Sequence, residues 1–276
     1  MTAPAGKHEW AHMTWVEIRD ALAANPVVLV PLGSVEQHGT HTPVGDYLAT
    51  EVIARRVAER TGALFVPTLP YGYSETHRGF PGTLTYRPET LRATLTDLTD
   101  CLLEVGVDHI LWLCGHGGNV PIIEHHAREL IRDIGIRTAC LDLWRLLSVG
   151  FNQALYGQPA PQTGHGSEPI GSVMASIVPH ATRPDLVAPA GRPAFAGLPA
   201  RGSQVEVDGV AVHVYPTSVD TSSIGVLGDP SLSNADRGAK ILDYVVDACC
   251  KVVDWYATID TRVDEQRPGQ LDFLRR

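Results

Sequence analysis

The sequence predicts an α/β protein, a three-layer α/β/α sandwich around a mostly parallel sheet. Three observations carry that expectation. Short, apolar, β-branched runs alternate with segments of helical spacing through the first two thirds of the chain, the pattern of strands joined by crossover helices. The 276 residues are 44% hydrophobic and 19% charged, ordinary values for a chain that buries a core. Polar clusters follow directly on the strand-like runs, where open α/β sheets collect their ligands. With no internal repeat and no linker-like stretch, residues 1–276 read as a single domain.

Taken in order, Thr14 is placed to cap a short helix through Leu22, and Val27 to Pro31 reads as a buried strand. Asp46 to Arg60 has Leu48, Val52, Ile53 and Val57 on one helical face, and Leu64 to Val66 forms a second strand. Pro88 suits a first helical turn, with the helix running to Val105. His109 to Leu113 is a third strand, Asn119 to Ile134 a helix and Thr138 to Leu143 a fourth strand. Beyond these, Ser167 to Val178 reads as a helix capped by Ser167, and Pro184 to Arg201 as a long connection. Val205 to Tyr215 carries the hairpin signal Asp208-Gly209, and Asn234 to Tyr256 is a long closing helix.

Composition excludes some functions. A formal charge of -9 and the lack of a Lys/Arg run argue against nucleic acid or an anionic membrane as partner; Arg275 and Arg276 read as a solvated tail. No apolar stretch approaches the ~20 residues of a membrane span, and no signal peptide is expected. The five cysteines match no zinc or redox spacing, so most are expected as buried thiols. Together these features predict a cytoplasmic protein.

Three segments present metal-type side chains just after a predicted strand or at a helix start. In residues 31–46, PLGSVEQHGTHTPVGD, Glu36 and His38 stand two apart and so share a direction in extended chain, and Asp46 opens the next helix. Glu, His and Asp together suit a divalent transition metal. In residues 115–119, GHGGN, His116 lies in a glycine-rich strand-to-helix turn; a phosphate nest is the other reading of such a turn. In residues 163–172, TGHGSEPIGS, His165 and Glu168 are three apart at a helix start, a spacing equally open to a surface loop with a capping carboxylate. No HExxH helix or GxSxG elbow is present. His125 and His126 fall mid-helix, with one facing solvent. The loop after the second strand, with Tyr71, Tyr73, His77, Arg78 and Phe80, is long enough to cover a site. Arg78 could meet a substrate carboxylate or hydroxyl, or an acid of a neighbouring subunit.

In this order, over roughly residues 27–245, the three segments together with GFPGT (79–83) and IGVLGDPS (224–231) resemble the creatininase (creatinine amidohydrolase) family. The resemblance implies the creatininase-like sandwich, a dinuclear site of two divalent ions with zinc foremost and manganese or iron admitted, and a homohexamer. It implies that Glu36, Asp46 and His116 hold one metal and His38, Asp46 and Glu168 the other, with Asp46 bridging. His165 matches a catalytic histidine, Glu168 lies beside it, and Trp144 resembles a tryptophan that closes over substrate. Gly117 and Gly118 are expected against the substrate, through their amides. The activity implied is hydrolysis of a small amide-like or cyclic substrate by a metal-bridging hydroxide.

Two departures bear on substrate. Creatininases carry a glutamate where this chain has Gly118. They also carry a second tryptophan, with acidic neighbours, where this chain reads Pro161-Gln162-Thr163-Gly164. The substrate is therefore expected to differ from creatinine, among the formamides, peptides and cyclic ketones of the wider family. The competing reading is a non-catalytic phosphate- or nucleotide-binding module built on GHGGN.

Overall fold

The computed structural model of the chain describes residues 7–263 except Gln162 and Arg192, so Arg275 and Arg276 lie outside the described residues. Helix α1 (Trp15–Leu22) starts at a reciprocal cap: Thr14 accepts from the Glu17 amide while Glu17 accepts from the Thr14 amide. Strand β1 (Val28–Leu32) follows, then α2 (Tyr47–Thr61), β2 (Leu64–Phe65), α3 (Pro88–Glu104), β3 (Ile110–Cys114), α4 (Val120–Ile134) and β4 (Ala139–Asp142). The four strands pair in parallel in the order β2-β1-β3-β4.

Every residue of β1 and β3 is buried, because both faces of the sheet are covered. The period of two sorts their side chains. Val28, Val30 and Leu32 join Ile110, Trp112 and Cys114 in one core, with Leu91 and Leu95 of α3 and Ile123 of α4. Leu29, Leu111 and Leu113 point the other way, into a core with Ile53 and Val57 of α2. That second core is completed from the C-terminal third, by α6 (Ile170–Ile177) and α8 (Ala235–Tyr256), after the short α5 (Val149–Tyr156). The layers are thus helix, sheet, helix, as the sequence predicts.

Two local expectations change. Ser167 does not cap α6. Its hydroxyl donates to the carbonyls of Gly164 and Leu227, and the helix starts three residues later. The connection 184–201 is not structureless: it contains β5 (Ala194–Phe195) and β6 (Leu198–Arg201), paired antiparallel. These continue into β7 (Gln204–Val207) and β8 (Val210–His213), giving a separate four-stranded antiparallel sheet. The β7–β8 turn is the expected Asp208-Gly209, both with positive φ (49° and 82°), which a two-residue hairpin turn of matching twist requires. A one-turn helix, α7 (Ser218–Thr221), leads back toward α8. No described helix is long and apolar enough to cross a membrane.

A candidate dinuclear metal centre

The order β2-β1-β3-β4 places a topological switch between β1 and β3. Chain leaving β1 turns toward β2, and chain leaving β3 turns toward β4, so their carboxyl ends open a crevice. Residues 33–46 leave β1 there, and residues 115–119 leave β3 there. The sheet therefore brings Glu36, His38, Asp46 and His116 together from two separate segments, and the loop before α6 adds His165.

Glu36 lies at the centre and is 2% exposed. Its Oε2 is 3.1 Å from His116 Nδ1, and its Oε1 is 3.5 Å from His38 Nε2 and 3.6 Å from His165 Nδ1. His116 Nδ1 is also 3.8 Å from Asp46 Oδ2. Two groups of three possible ligand atoms result: Glu36, Asp46 and His116, and Glu36, His38 and His165. In this geometry the carboxylate common to both is Glu36 rather than Asp46.

Each histidine has one ring nitrogen engaged and the other turned to Glu36. His38 Nδ1 donates to the Glu36 carbonyl at 3.0 Å, and His116 Nε2 to the Tyr73 carbonyl at 2.8 Å. His165 Nε2 donates to the Gln37 carbonyl at 2.5 Å. Backbone carbonyls of this kind set tautomer and ring orientation for metal-ligating histidines. Asp46 does not cap α2; its two oxygens accept from the Ser34 amide and hydroxyl, at 2.5 and 3.1 Å, which holds the carboxylate over the crevice.

The buried charges of the site act strongly on one another. Burial by itself would raise the Glu36 carboxyl, but the imidazoles of His116, His165 and His38 hold it well below the usual range. Burial, reinforced by Glu36, pushes Asp46 up to about 8. Burial brings His38 down to about 3, and also lowers His165, so both imidazoles are neutral and able to ligate. Burial works against a charged His116 too, yet Glu36 and Asp46 outweigh it and raise this group to about 9. Glu36 Oε2 is buried with no hydrogen bond of good geometry; its nearest polar neighbour is His116 Nδ1 at 3.1 Å, and a cation between them would satisfy both atoms.

His77 belongs to this centre although no sequence motif marks it. Its ring stacks on His165 with centroids 3.7 Å apart, its Nδ1 is 2.6 Å from the Ser218 hydroxyl, and its Nε2 is 3.8 Å from Glu36 Oε2. Only the folding of the long loop after β2 reveals it. Burial, with His165 beside it, lowers this histidine to about 3.

The crevice is a cleft of about 590 Å³ whose walls include Gly117, Gly118, Trp144 and Glu168 as well as the ligand groups. It shares His77, Thr163 and Gly164 with a neighbouring cleft of about 610 Å³, walled by Ala200, Tyr215 and Leu227 among others.

The model of the creatininase family, described as creatinine amidohydrolase, matches residues 11–253. The chain belongs to the creatininase family. It is 31% identical over 251 residues to the mycofactocin precursor peptide peptidase of Mycobacterium ulcerans (strain Agy99), covering 83% of this chain and 86% of that one. A solved tryptophan-to-alanine variant of creatininase superposes with a TM-score of 0.79 at 25% identity, over 92% of this chain and all of the other. Creatininase structures described as a Zn-Zn type and as the Mn form superpose at 0.77, with 26% identity. These relatives are hydrolases with divalent metals among their solved forms, which supports hydrolase function and a divalent metal here.

Within this creatininase-family frame, two expected site residues stand differently. Glu168 is fully buried at the cleft wall but outside both ligand groups. Its oxygens accept from the Tyr156 hydroxyl at 2.7 Å and the Ser172 hydroxyl at 2.6 Å, which hold the carboxylate in the cleft wall. Arg78 does not line either cleft: its side chain is 70% exposed and pairs with Glu75 at 3.0 Å. Three other expectations have clear places. Trp144 donates its indole N–H to the Gly115 carbonyl at 2.6 Å, pinning the ring against the end of β3. Gly117 and Gly118 line the cleft, and a Cβ at Gly118 would come within 2.3 Å of the Tyr73 carbonyl and 2.4 Å of His116 Nε2. With this backbone a side chain there would displace the Tyr73 carbonyl or the His116 ring, so the loop would have to shift to carry the glutamate that creatininases have at this position.

Proposed function

We propose that this protein is a divalent-metal-dependent hydrolase that cleaves a C–N bond in an extended, peptide-like amide. The observation that carries the reading is the buried set Glu36, His38, Asp46, His116 and His165, converging at the switch of the parallel sheet with a ring nitrogen of each of the three histidines turned to the Glu36 carboxylate. The donor set, carboxylate oxygens and imidazole nitrogens, fits two zinc ions and also admits manganese or iron. Cations held here would supply the charge that acidifies a water and polarises the scissile carbonyl.

The protein's own groups have separable tasks. Glu36 and Asp46 provide the negative charge; the carbonyls of Glu36 and Tyr73 fix the free nitrogens of His38 and His116 toward it. His165, neutral and tied through Nε2 to the Gln37 carbonyl, presents Nδ1 to the cleft and is the group we assign to carry a proton to the leaving nitrogen. Glu168 holds the wall through Tyr156 and Ser172. The amides of Gly117 and Gly118 and the indole face of Trp144 are the surfaces offered to substrate.

The second cleft favours an extended substrate over creatinine. A small cyclic amide would fill only the space beside Glu36, whereas a chain could continue past His77 and Thr163 to Tyr215 and Leu227. The similarity to a peptidase points the same way.

Elemental mass spectrometry on protein purified without chelators tests the reading first. About two equivalents of zinc, manganese or iron per chain are expected; a reproducible absence of bound metal, with none taken up on addition, would move the binding-module reading to the front. A second assignment follows from the same geometry, because His165 completes a ligand group with Glu36 and His38. As proton carrier, His165→Ala keeps both metals and loses most turnover; as ligand, it loses one metal.

A further inference from the structure

Behind the loop that carries Glu36 and His38 lies a second, smaller pocket that the proposed reaction does not use. Its volume is about 320 Å³, at the small end of ligand pockets, which run from about 300 to 1,000 Å³. One wall is His41 and Thr42, five and six residues beyond Glu36. The opposite wall is Gly171 in the first turn of α6 together with Pro230 and Ser233, and Thr182, Pro184 and Val187 close it. Two contacts hold that closing segment on the loop: the Arg183 amide donates to the His41 carbonyl at 2.7 Å, and the Thr40 hydroxyl donates to the Leu186 carbonyl at 2.5 Å.

The polar chemistry of this pocket is unspent. His41 is 5% exposed and Thr42 6%, and both His41 ring nitrogens, the Thr42 hydroxyl and the Ser233 hydroxyl are buried without a hydrogen-bond partner. Buried polar groups are nearly always paired, so four such atoms at one cavity mark a place where partners are supplied from outside. His41 Nε2 faces the Gly171 and Ser233 side: a Cβ on Gly171 would lie 3.8 Å from it and 2.2 Å from the Ser233 hydroxyl.

The lining also selects by charge. Among the described residues no Asp, Glu, Lys or Arg contributes to it, and the guanidinium of nearby Arg183 is turned outward onto Asp185 at 2.6 Å. An ion would enter without a counter-charge, at a large desolvation cost. Burial lowers the His41 imidazole, which keeps it neutral, with one donor and one acceptor nitrogen. The threonine and serine hydroxyls can each turn to donate or accept.

We propose that the pocket between the loop 39–42 and the start of α6 is a second ligand site, taking a small uncharged molecule of the carboxamide class. Such a molecule offers a carbonyl acceptor and an N–H donor, the complement of a neutral imidazole flanked by hydroxyls. The pocket shares no residue with the two groups of possible ligands, although Thr42 pairs with His38 across the loop; the proposal does not rest on the proposed hydrolysis.

The test uses the full chain with acetamide as probe, by isothermal titration and by soaking crystals. Expected are saturable binding and acetamide density between His41 and Ser233, with binding retained in His116→Ala, which disrupts only the metal centre. The paired change Thr42→Val and Ser233→Ala should weaken binding by at least about fivefold, with the melting temperature monitored to show that it folds. The unmodified chain decides the matter if that variant does not fold. Density for water alone, undiminished binding in the paired variant, or binding lost in His116→Ala would each overturn the proposal.

Discussion

The two sheets of this molecule obey different rules. In β1 and β3 every side chain is buried, and successive residues feed opposite cores. In β7 only Val205 is buried, and all four residues of β8 are exposed, including Val210 at 62%. The parallel sheet stabilises the fold and fixes where its strand ends point; the antiparallel sheet has little to bury and instead supplies Ala200, Gly202 and Ser203 to a wall of the second cleft. Most of the buried core lies with the first region, where the proposed chemistry is placed, and substrate selection is expected in the second.

That division can be broken or sharpened at several levels. The largest effect belongs to the strand-end ligands: His116→Ala should strip metal and lower kcat/KM by more than about 100-fold, since even orienting partners of ligands are worth 10–100-fold. Val210→Ser, in the antiparallel sheet, should alter neither metal content nor turnover, and a joint loss there would dissolve the distinction. Next in size is stability. Leu111→Ala, emptying space between β3 and α2, should cost about 2–5 kcal/mol in urea unfolding, whereas Val210→Ser should stay within about 0.5 kcal/mol.

Metal uptake gives a pH signature confined to the first region. His116 is raised to about 9 by Glu36 and Asp46, so near neutral pH it holds a proton that a metal must displace. Apparent metal affinity should therefore rise with pH, by about tenfold per unit for each proton released, and flatten above about 9 for this group. A pH-independent affinity between 6 and 8 would contradict the assignment of His116. In the second region, Tyr215→Ala should raise KM for extended peptide amides by about tenfold while leaving kcat and small-amide kinetics unchanged. Equal losses on both substrate types would remove the second cleft from substrate binding. Smallest is Thr14→Ala, far from both regions, which should cost about 1 kcal/mol through the lost cap of α1, read as a lower unfolding midpoint with activity intact.

Much of the core architecture was legible in the chain because its signals are local and repeated. Runs such as Val28–Leu32 and Ile110–Cys114 are apolar throughout, as only strands covered on both faces are, and Pro88 and Asn234 mark helix starts by their own chemistry. His125 and His126 divided as expected: the first is exposed, and the second is buried at 1% against the Thr99 hydroxyl. Of the cysteines, Cys114, Cys249 and Cys250 are buried as expected, whereas Cys101 and Cys140 are exposed. Less legible were the elements whose reason is a distant partner. The β5–β6 hairpin lacks the strong turn signal of Asp208-Gly209, and Ser167 looked like a helix cap because its bond to the Leu227 carbonyl spans 60 residues.

What the sequence determined by itself is the kind of site: the residue types Glu36, His38, Asp46 and His116 at the ends of two strand runs, with His165 and Glu168 before a later helix. What only the tertiary structure decided is which atoms meet. Stacking His77 on His165, leaving Glu36 common to both ligand groups, engaging both Glu168 oxygens with Tyr156 and Ser172, and turning Arg78 out to Glu75 all depend on loops crossing the crevice from separate parts of the chain. Periodicity reports which face a residue takes within its own element. It carries no information about how far a loop reaches, and at a metal centre a few tenths of an ångström between two loops decide which side chain is a ligand and which is a support.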